Sequence, residues 1–332
     1  MFTRSRYLLR GLSSAAAILT TLAATAAFAA GPKAYVGNFK DNTVSVIDTE
    51  AGKVVATVPV GAGPHGMAVS PDGRNVYVSG DLASTVSVID TTSDRVAQTI
   101  EVGKAPHGLA IKSDGKMLLV AVYGEDRVAF VDTSTRAVIG TVAVAKPHTI
   151  AIRPDDKVAY IASQEPGRFG LAIVDLETRA VIRNLPLDKT PRDLEFGYDG
   201  KALYYTQAGV NAIQVLDPAS DKVVAEISTG ASPHIAGYYR NSSVGVAVVQ
   251  GPSELLLFNP ATNAAVRSVA VGKQPHWVAT AGDGKSAYVT NEGSNDVTVV
   301  DLATGKTTTI SVGNVPRKVV VQRTATSAGK GM

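Results

Sequence analysis

The chain has 332 residues, with 32 Lys and Arg against 29 Asp and Glu, and no cysteine. Lack of cysteine excludes a disulfide framework, a thiolate metal site and a covalently attached c-type haem, so stability rests on burying a large apolar core. Three of the basic residues, Arg4, Arg6 and Arg10, stand at the start, and without them acids and bases balance at 29 each, which argues against a partner held by net charge, such as duplex nucleic acid or an acidic membrane.

Residues 1–29 read as a secretory signal peptide: the three arginines precede an uncharged Ala/Leu/Thr stretch that ends in Ala27-Phe28-Ala29, an A-x-A cleavage pattern. Gly11 to Ala30 is long enough to serve instead as an uncleaved anchor, but its Ser and Thr content and its small-residue end favour cleavage. No Cys follows the apolar run, which excludes a lipoprotein anchor. The expected location is periplasmic or secreted, with no stable membrane insertion after cleavage.

From residue 30 to 322 the chain reads as short strands. The first is Ala34-Tyr-Val-Gly-Asn38, followed by Asn42-Thr-Val-Ser-Val-Ile-Asp48. The next repeat shows the full unit: Gly66 to Ser70, a Pro71-Asp72-Gly73 turn, Asn75 to Ser79, Thr85 to Asp90, and Arg95 to Val102. Each run is rich in Val, Ile, Thr and Tyr and is bounded by turn formers, so each is a strand and four make one blade. Ser113-Asp114-Gly115, Pro154-Asp155-Asp156, Tyr198-Asp199-Gly200 and Gly282-Asp283-Gly284 repeat the first turn.

A proline followed by a basic residue opens each unit: Pro64-His65, Pro106-His107, Pro147-His148, Pro191-Arg192, Pro233-His234, Pro275-His276 and Pro316-Arg317, at spacings of 42, 41, 44, 42, 42 and 41 residues. That period belongs to a propeller blade. The expected fold is all-β, a seven-bladed β-propeller with four antiparallel strands per blade. The N-terminal blade lacks its first strand, and Lys318-Val-Val-Val-Gln322 has no blade after it, so pairing the two closes the ring and removes an open edge. Residues 323–332 read as a disordered tail.

Tyr35-Val-Gly-Asn38, Tyr77-Val-Ser-Gly80 and Tyr288-Val-Thr-Asn291, with Asn42 to Asp48, resemble the YVTN-repeat seven-bladed propellers, and among these the YncE-like periplasmic proteins. The resemblance covers residues 34 to 322. It implies the propeller fold, and it implies single-stranded DNA as one partner class, since some members are described as binding it. Propellers of this kind serve unrelated purposes, so the fold does not name the ligand.

In a propeller the loop from an outer strand to the next inner strand shares a face with the loop between strands two and three. The candidate site is therefore the mouth where His65, His107, His148, Arg192, His234, His276 and Arg317 gather, joined by Asn38 to Asp41, Asp81, Tyr123 to Asp126, Gln164 to Phe169, Gln207, Gln250 and Asn291 to Glu292. Three chemistries fit. One is a binding site for a small molecule, an anionic or polymeric ligand or a protein segment, with Trp277 and Arg168 as further contacts. Another is a copper or zinc site on His65, His107 and His148, because imidazoles on adjacent blades are suitable metal ligands. The last is a propeller enzyme such as a lactonase, for which no catalytic signature is present. The same basic ring also fits a purely structural role. Imidazoles beside arginines lose protons readily, so anion binding should strengthen on acidification.

Asp48, Asp90, Asp132, Asp175, Asp217, Asn259 and Asp301 close the third strands on the opposite face, and the turn formers after them point to Asx turns rather than calcium or catalysis. The loop Ser163 to Gly170 is two residues longer than its equivalents and carries Glu165, Arg168 and Phe169, a candidate specificity element over the mouth.

Overall fold

A computed structural model describes residues 32–322 together with Met1 and Phe2. The signal-peptide and tail readings, 1–29 and 323–332, lie outside the described residues apart from those two.

The described residues form seven four-stranded antiparallel sheets. The inner strands are Pro64–Val69, Pro106–Ile111, Pro147–Ile152, Pro191–Phe196, Pro233–Gly237, Pro275–Thr280 and Pro316–Val321. Each packs against the inner strand of the next blade, and Pro316–Val321 packs against Pro64–Val69, so the array closes on itself. Closure is made by the chain's two ends: Ala34 faces Val321, Tyr35 faces Val320 and Val36 faces Val319 in antiparallel register. The sheet order Pro316–Val321, Lys33–Asn38, Thr43–Asp48, Lys53–Pro59 is the expected composite blade.

Burial explains why the second and third strands are almost uniformly apolar. They are covered on both sheet faces, as in Val76–Val78 and Val86–Ile89, whereas the outer strand Arg95–Glu101 alternates toward solvent. Side chains from consecutive blades interdigitate: Tyr35, Val44 and Val46 of one blade meet Met67, Val76, Val78 and Ile89 of the next in one buried cluster. This is sheet-on-sheet packing repeated around a ring.

The residues that carry the family resemblance work between and within blades. The Tyr35 hydroxyl donates to Asp94 Oδ1 at 2.8 Å and Tyr160 donates to Asp221 Oδ1 at 2.8 Å, each reaching the following blade. Asn38 Nδ2 donates to Thr43 Oγ1 and Ser45 Oγ, and Asn291 Nδ2 donates to Asp296 Oδ1 and Thr298 Oγ1. The Tyr and Asn of the motif are thus packing and turn residues. The ring of Asx residues is likewise structural: Asp48 Oδ1 accepts from the N–H groups of Glu50 and Ala51, and Asp132 Oδ1 from those of Ser134 and Thr135. The Thr135 and Ser134 hydrogen bonds hold the Asp132 carboxyl down at about 2.

Candidate functional site

Two local devices aim the basic ring. The first is a register shift directly after the proline in all seven inner strands, between Pro64 and Met67, Pro106 and Leu109, Pro147 and Ile150, Pro191 and Leu194, Pro233 and Ala236, Pro275 and Trp277, and Pro316 and Val319. Such a bulge re-aims side chains at a sheet edge, here the His or Arg. The second is the backbone just before the proline. Gly63, Ala105, Lys146, Ser232, Gln274 and Val315 all have positive φ. For β-branched Val315, at φ 53, this is a strained conformation.

The carbonyl at that position holds the neighbouring loop. Val315 O accepts from Phe39 N, Gly63 O from Asp81 N, Ala105 O from Tyr123 N, Lys146 O from Gln164 N, Thr190 O from Ala208 N, Ser232 O from Gln250 N and Gln274 O from Glu292 N, at 2.9 to 3.1 Å. A second ring is thereby locked beside the first: Phe39, Asp81, Tyr123, Gln164, Ala208, Gln250 and Glu292. From the second blade onward each of these follows its proline by 17 residues. That constant offset is the signal in the sequence that ties these loops into one register.

The mouth is not seven-fold in detail. On one side His65, His107 and His148 stack, with ring centroids 3.9 Å apart at each step. Their inner strands approach this closely because glycine follows two of the histidines: a Cβ on Gly66 would stand 2.0 Å from His107 O, and one on Gly108 would stand 2.4 Å from His148 O. His107 Nδ1 lies 3.1 Å from His148 O and His148 Nδ1 lies 3.0 Å from Arg192 O. Nδ1 therefore carries the proton in both. Phe39 packs edge-on to His65, and Tyr123 borders His107.

The other side opens into a cavity of about 390 Å³ lined by His148, Gln164, Thr190, Arg192, Ala208, His234, Gln250, His276, Glu292 and Arg317. Arg192 Nη1 donates to Ser232 Oγ at 2.8 Å and to Gln250 Oε1 at 3.5 Å, both neutral oxygens. Arg317 Nε lies 2.9 Å from Glu292 Oε1, with His276 Nε2 3.5 Å from the same oxygen. The Arg317 guanidinium also lies over the Phe39 ring, a cation–π contact. His234 Nδ1 lies 2.8 Å from Asp193 Oδ2.

Burial sets the charge states. It drives the His65, His107 and His276 imidazoles well below their ordinary range, helped by neighbouring histidines and Arg317, and it lowers His148. Burial also raises the Glu292 carboxyl against the pull of Arg317 and His234, and raises Asp81 against Arg317. At Asp193 burial works upward too, but His234, His148 and Lys318 outweigh it and the carboxyl ends below its usual value.

All seven basic residues are thus brought to one mouth, five of them lining its cavity, with His65 and His107 packed against His148. The two other expected contacts are elsewhere. Trp277 is buried in the apolar cluster with Val278 and Tyr288, and Lys318 Nζ sits 4.0 Å from its ring centre. The bulge that turns His276 to the channel leaves the next side chain in the core. Arg168 is exposed, pairs with Glu165 at 2.6 Å, and borders a separate groove of about 920 Å³ walled by Phe169, Val181, Leu185 and Leu187. The long loop Ser163 to Gly170 contributes to that groove, and only Gln164 of it lines the mouth.

A three-histidine metal site does not assemble. Among the described residues no group of three or more His, Asp or Glu is placed to hold an ion. His65, His107 and His148 meet ring against ring, whereas ligation needs nitrogen lone pairs converging on one point.

The fold and mouth define a seven-bladed β-propeller with a basic channel entrance. Residues 12–113 match the family described as YNCE-like beta-propeller, and the closed ring of seven four-stranded blades agrees with that match. No curated protein matches it. Among solved structures, hydrazine synthase of Kuenenia stuttgartiensis is similar at 22% identity, with a TM-score of 0.75 over 81% of this chain and 92% of that one. Dihydro-heme d1 dehydrogenase NirN in complex with DHE is similar at 18% identity and TM-score 0.68, over 90% and 76%. Citrobacter koseri AztD is similar at 17% identity and TM-score 0.66, over 87% and 97%. At these identities the likeness concerns the fold.

Proposed function

We propose that the chain is an exported binding protein that captures a small organic anion in the channel mouth. The observation that carries this reading is Arg192. Its guanidinium lines the cavity while its hydrogen bonds go to the neutral oxygens of Ser232 and Gln250, which position its charge without cancelling it. Arg317 faces the same space from three blades on, with His234 and His276 between them. A planar guanidinium offers the two parallel donors that a carboxylate or phosphate accepts. A volume near 390 Å³ suits a small molecule. The leader features at residues 1–29 support export, with the periplasm or the outside of the cell as the proposed location.

Titration calorimetry with small dicarboxylates, phosphate and an oligothymidylate at two salt concentrations tests this. A small anion should bind, and Arg192→Gln should weaken it at least tenfold, since a charge-assisted pair contributes about 1.5–3 kcal/mol. Equal affinity in wild type and R192Q would reject the reading. Oligothymidylate binding with a steep fall in salt would assign the mouth to single-stranded DNA instead.

A further inference from the structure

The residue after the basic one in the seven inner strands is Gly66, Gly108, Thr149, Asp193, Ile235, Trp277 or Lys318. Only Asp193 is acidic. It is 2% exposed, and its Oδ2 lies 2.8 Å from His234 Nδ1. Among the described residues neither atom has a hydrogen-bonding partner beyond this contact. Elsewhere in the ring the scaffold orients imidazoles with backbone carbonyls, as at His107 and His148. One blade thus replaces a carbonyl by a buried carboxylate. A carbonyl fixes ring orientation equally well; a carboxylate in addition stabilises the imidazolium that forms when the ring accepts a proton.

We propose that His234 is a general base that activates water to hydrolyse a small carboxylate-bearing ester held in the mouth, with Asp193 as its positioning residue. The proposal rests on the anion-binding reading, because Arg192 anchors the substrate carboxylate. With Nδ1 facing Asp193, Nε2 is the ring nitrogen left for the cavity that His234 lines. Water is the nucleophile: the chain has no cysteine, and the Ser232 hydroxyl is engaged, accepting from Arg192 and donating to Gln250 Oε1 at 3.1 Å. That acceptor role of Oε1 leaves the Gln250 amide N–H groups to donate to the ester carbonyl.

In the step, His234 Nε2 takes a proton from water as the water oxygen bonds to the acyl carbon. The tetrahedral intermediate collapses with cleavage of the acyl C–O bond. The proton on His234 passes to the leaving oxygen, so one ester and one water give a carboxylic acid, ionised at neutral pH, and an alcohol. No oxidant, metal or covalent enzyme intermediate enters.

The test uses 4-nitrophenyl hydrogen succinate as ester, 4-nitrophenyl butyrate as its uncharged counterpart, and succinate for binding by calorimetry. Wild type should release nitrophenolate faster from the anionic ester than buffer does, and favour it over butyrate. His234→Gln, with its melting curve retained, should lower kcat at least about 100-fold, within the range of general-base contributions. Asp193→Asn should lower kcat and shift the pH profile, and added imidazole should restore activity to His234→Ala. Release no faster than buffer, or full activity in H234Q, overturns the proposal. If succinate binds while the ester is not turned over, hydrolysis falls and anion capture stands; if succinate does not bind either, both fall.

Discussion

Gly66 and Gly108 show how single residues decide the character of the mouth. Each lets two inner strands approach until a Cβ would strike the next blade's carbonyl, and that approach stacks three imidazoles into a closed, neutral half. Gly66→Ala or Gly108→Ala should destabilise the fold by about 1–3 kcal/mol, the usual range for overpacking, with the midpoint of urea unfolding as the measure. The neutral histidines also make stability depend on pH. Their folded values are depressed, chiefly by burial, so their contribution is complete above the unfolded value of about 6.5 and is lost as pH falls toward the folded values. Raised Glu292 acts in the opposite sense, losing stability as pH rises through its folded value, and offsets part of this. The melting temperature should therefore fall between pH 7 and pH 5, and His107→Gln should flatten that fall.

Strands and loops are joined across blades by side chains that reach backbone. Ser79 Oγ donates to His107 O at 2.6 Å, Thr206 Oγ1 to His234 O at 2.5 Å and Thr290 Oγ1 to Arg317 O at 2.5 Å, so a second-strand hydroxyl of one blade fixes the basic residue of the next. Thr290→Val keeps the shape and strands the carbonyl, which should cost about 1–3 kcal/mol and weaken anion binding through Arg317. Chemical denaturation and calorimetry on the same variant read both effects. The turn residues before each proline belong to the same device, since positive φ there presents the carbonyl that pins the second ring. Val315→Gly relieves a β-branched residue from that conformation; its melting temperature should stay level or rise.

The ring as a whole depends on one strand supplied from the far end of the chain. Removing residues 316–332 takes away the partner of Lys33–Asn38 and the seventh basic group together, exposing a strand edge in a hydrophobic blade. Such a chain should lose its cooperative melting transition and associate, as light scattering would show. The mouth would go with it, because Arg317, Phe39 and Glu292 face one another only when the termini have paired.

Much of this molecule is legible in one dimension because a repeat writes it seven times. The Pro-basic period, the Asp-Gly turns and the orphan strands at both ends were sufficient for blade number, blade order and closure, since each is a local or near-neighbour property. The sharing of one mouth by seven distant residues followed from the same symmetry. What divides that mouth into a sealed stack and an open pocket is not local. It comes from how close adjacent inner strands approach at Gly66 and Gly108, from bulges that turn each basic residue to the axis while sending Trp277 into the core, and from the meeting of Asp193 with His234 across a blade boundary. Repeats specify the frame through short-range periodicity, whereas the site arises where they depart from one another, and the effect of a departure depends on which neighbour it faces in three dimensions.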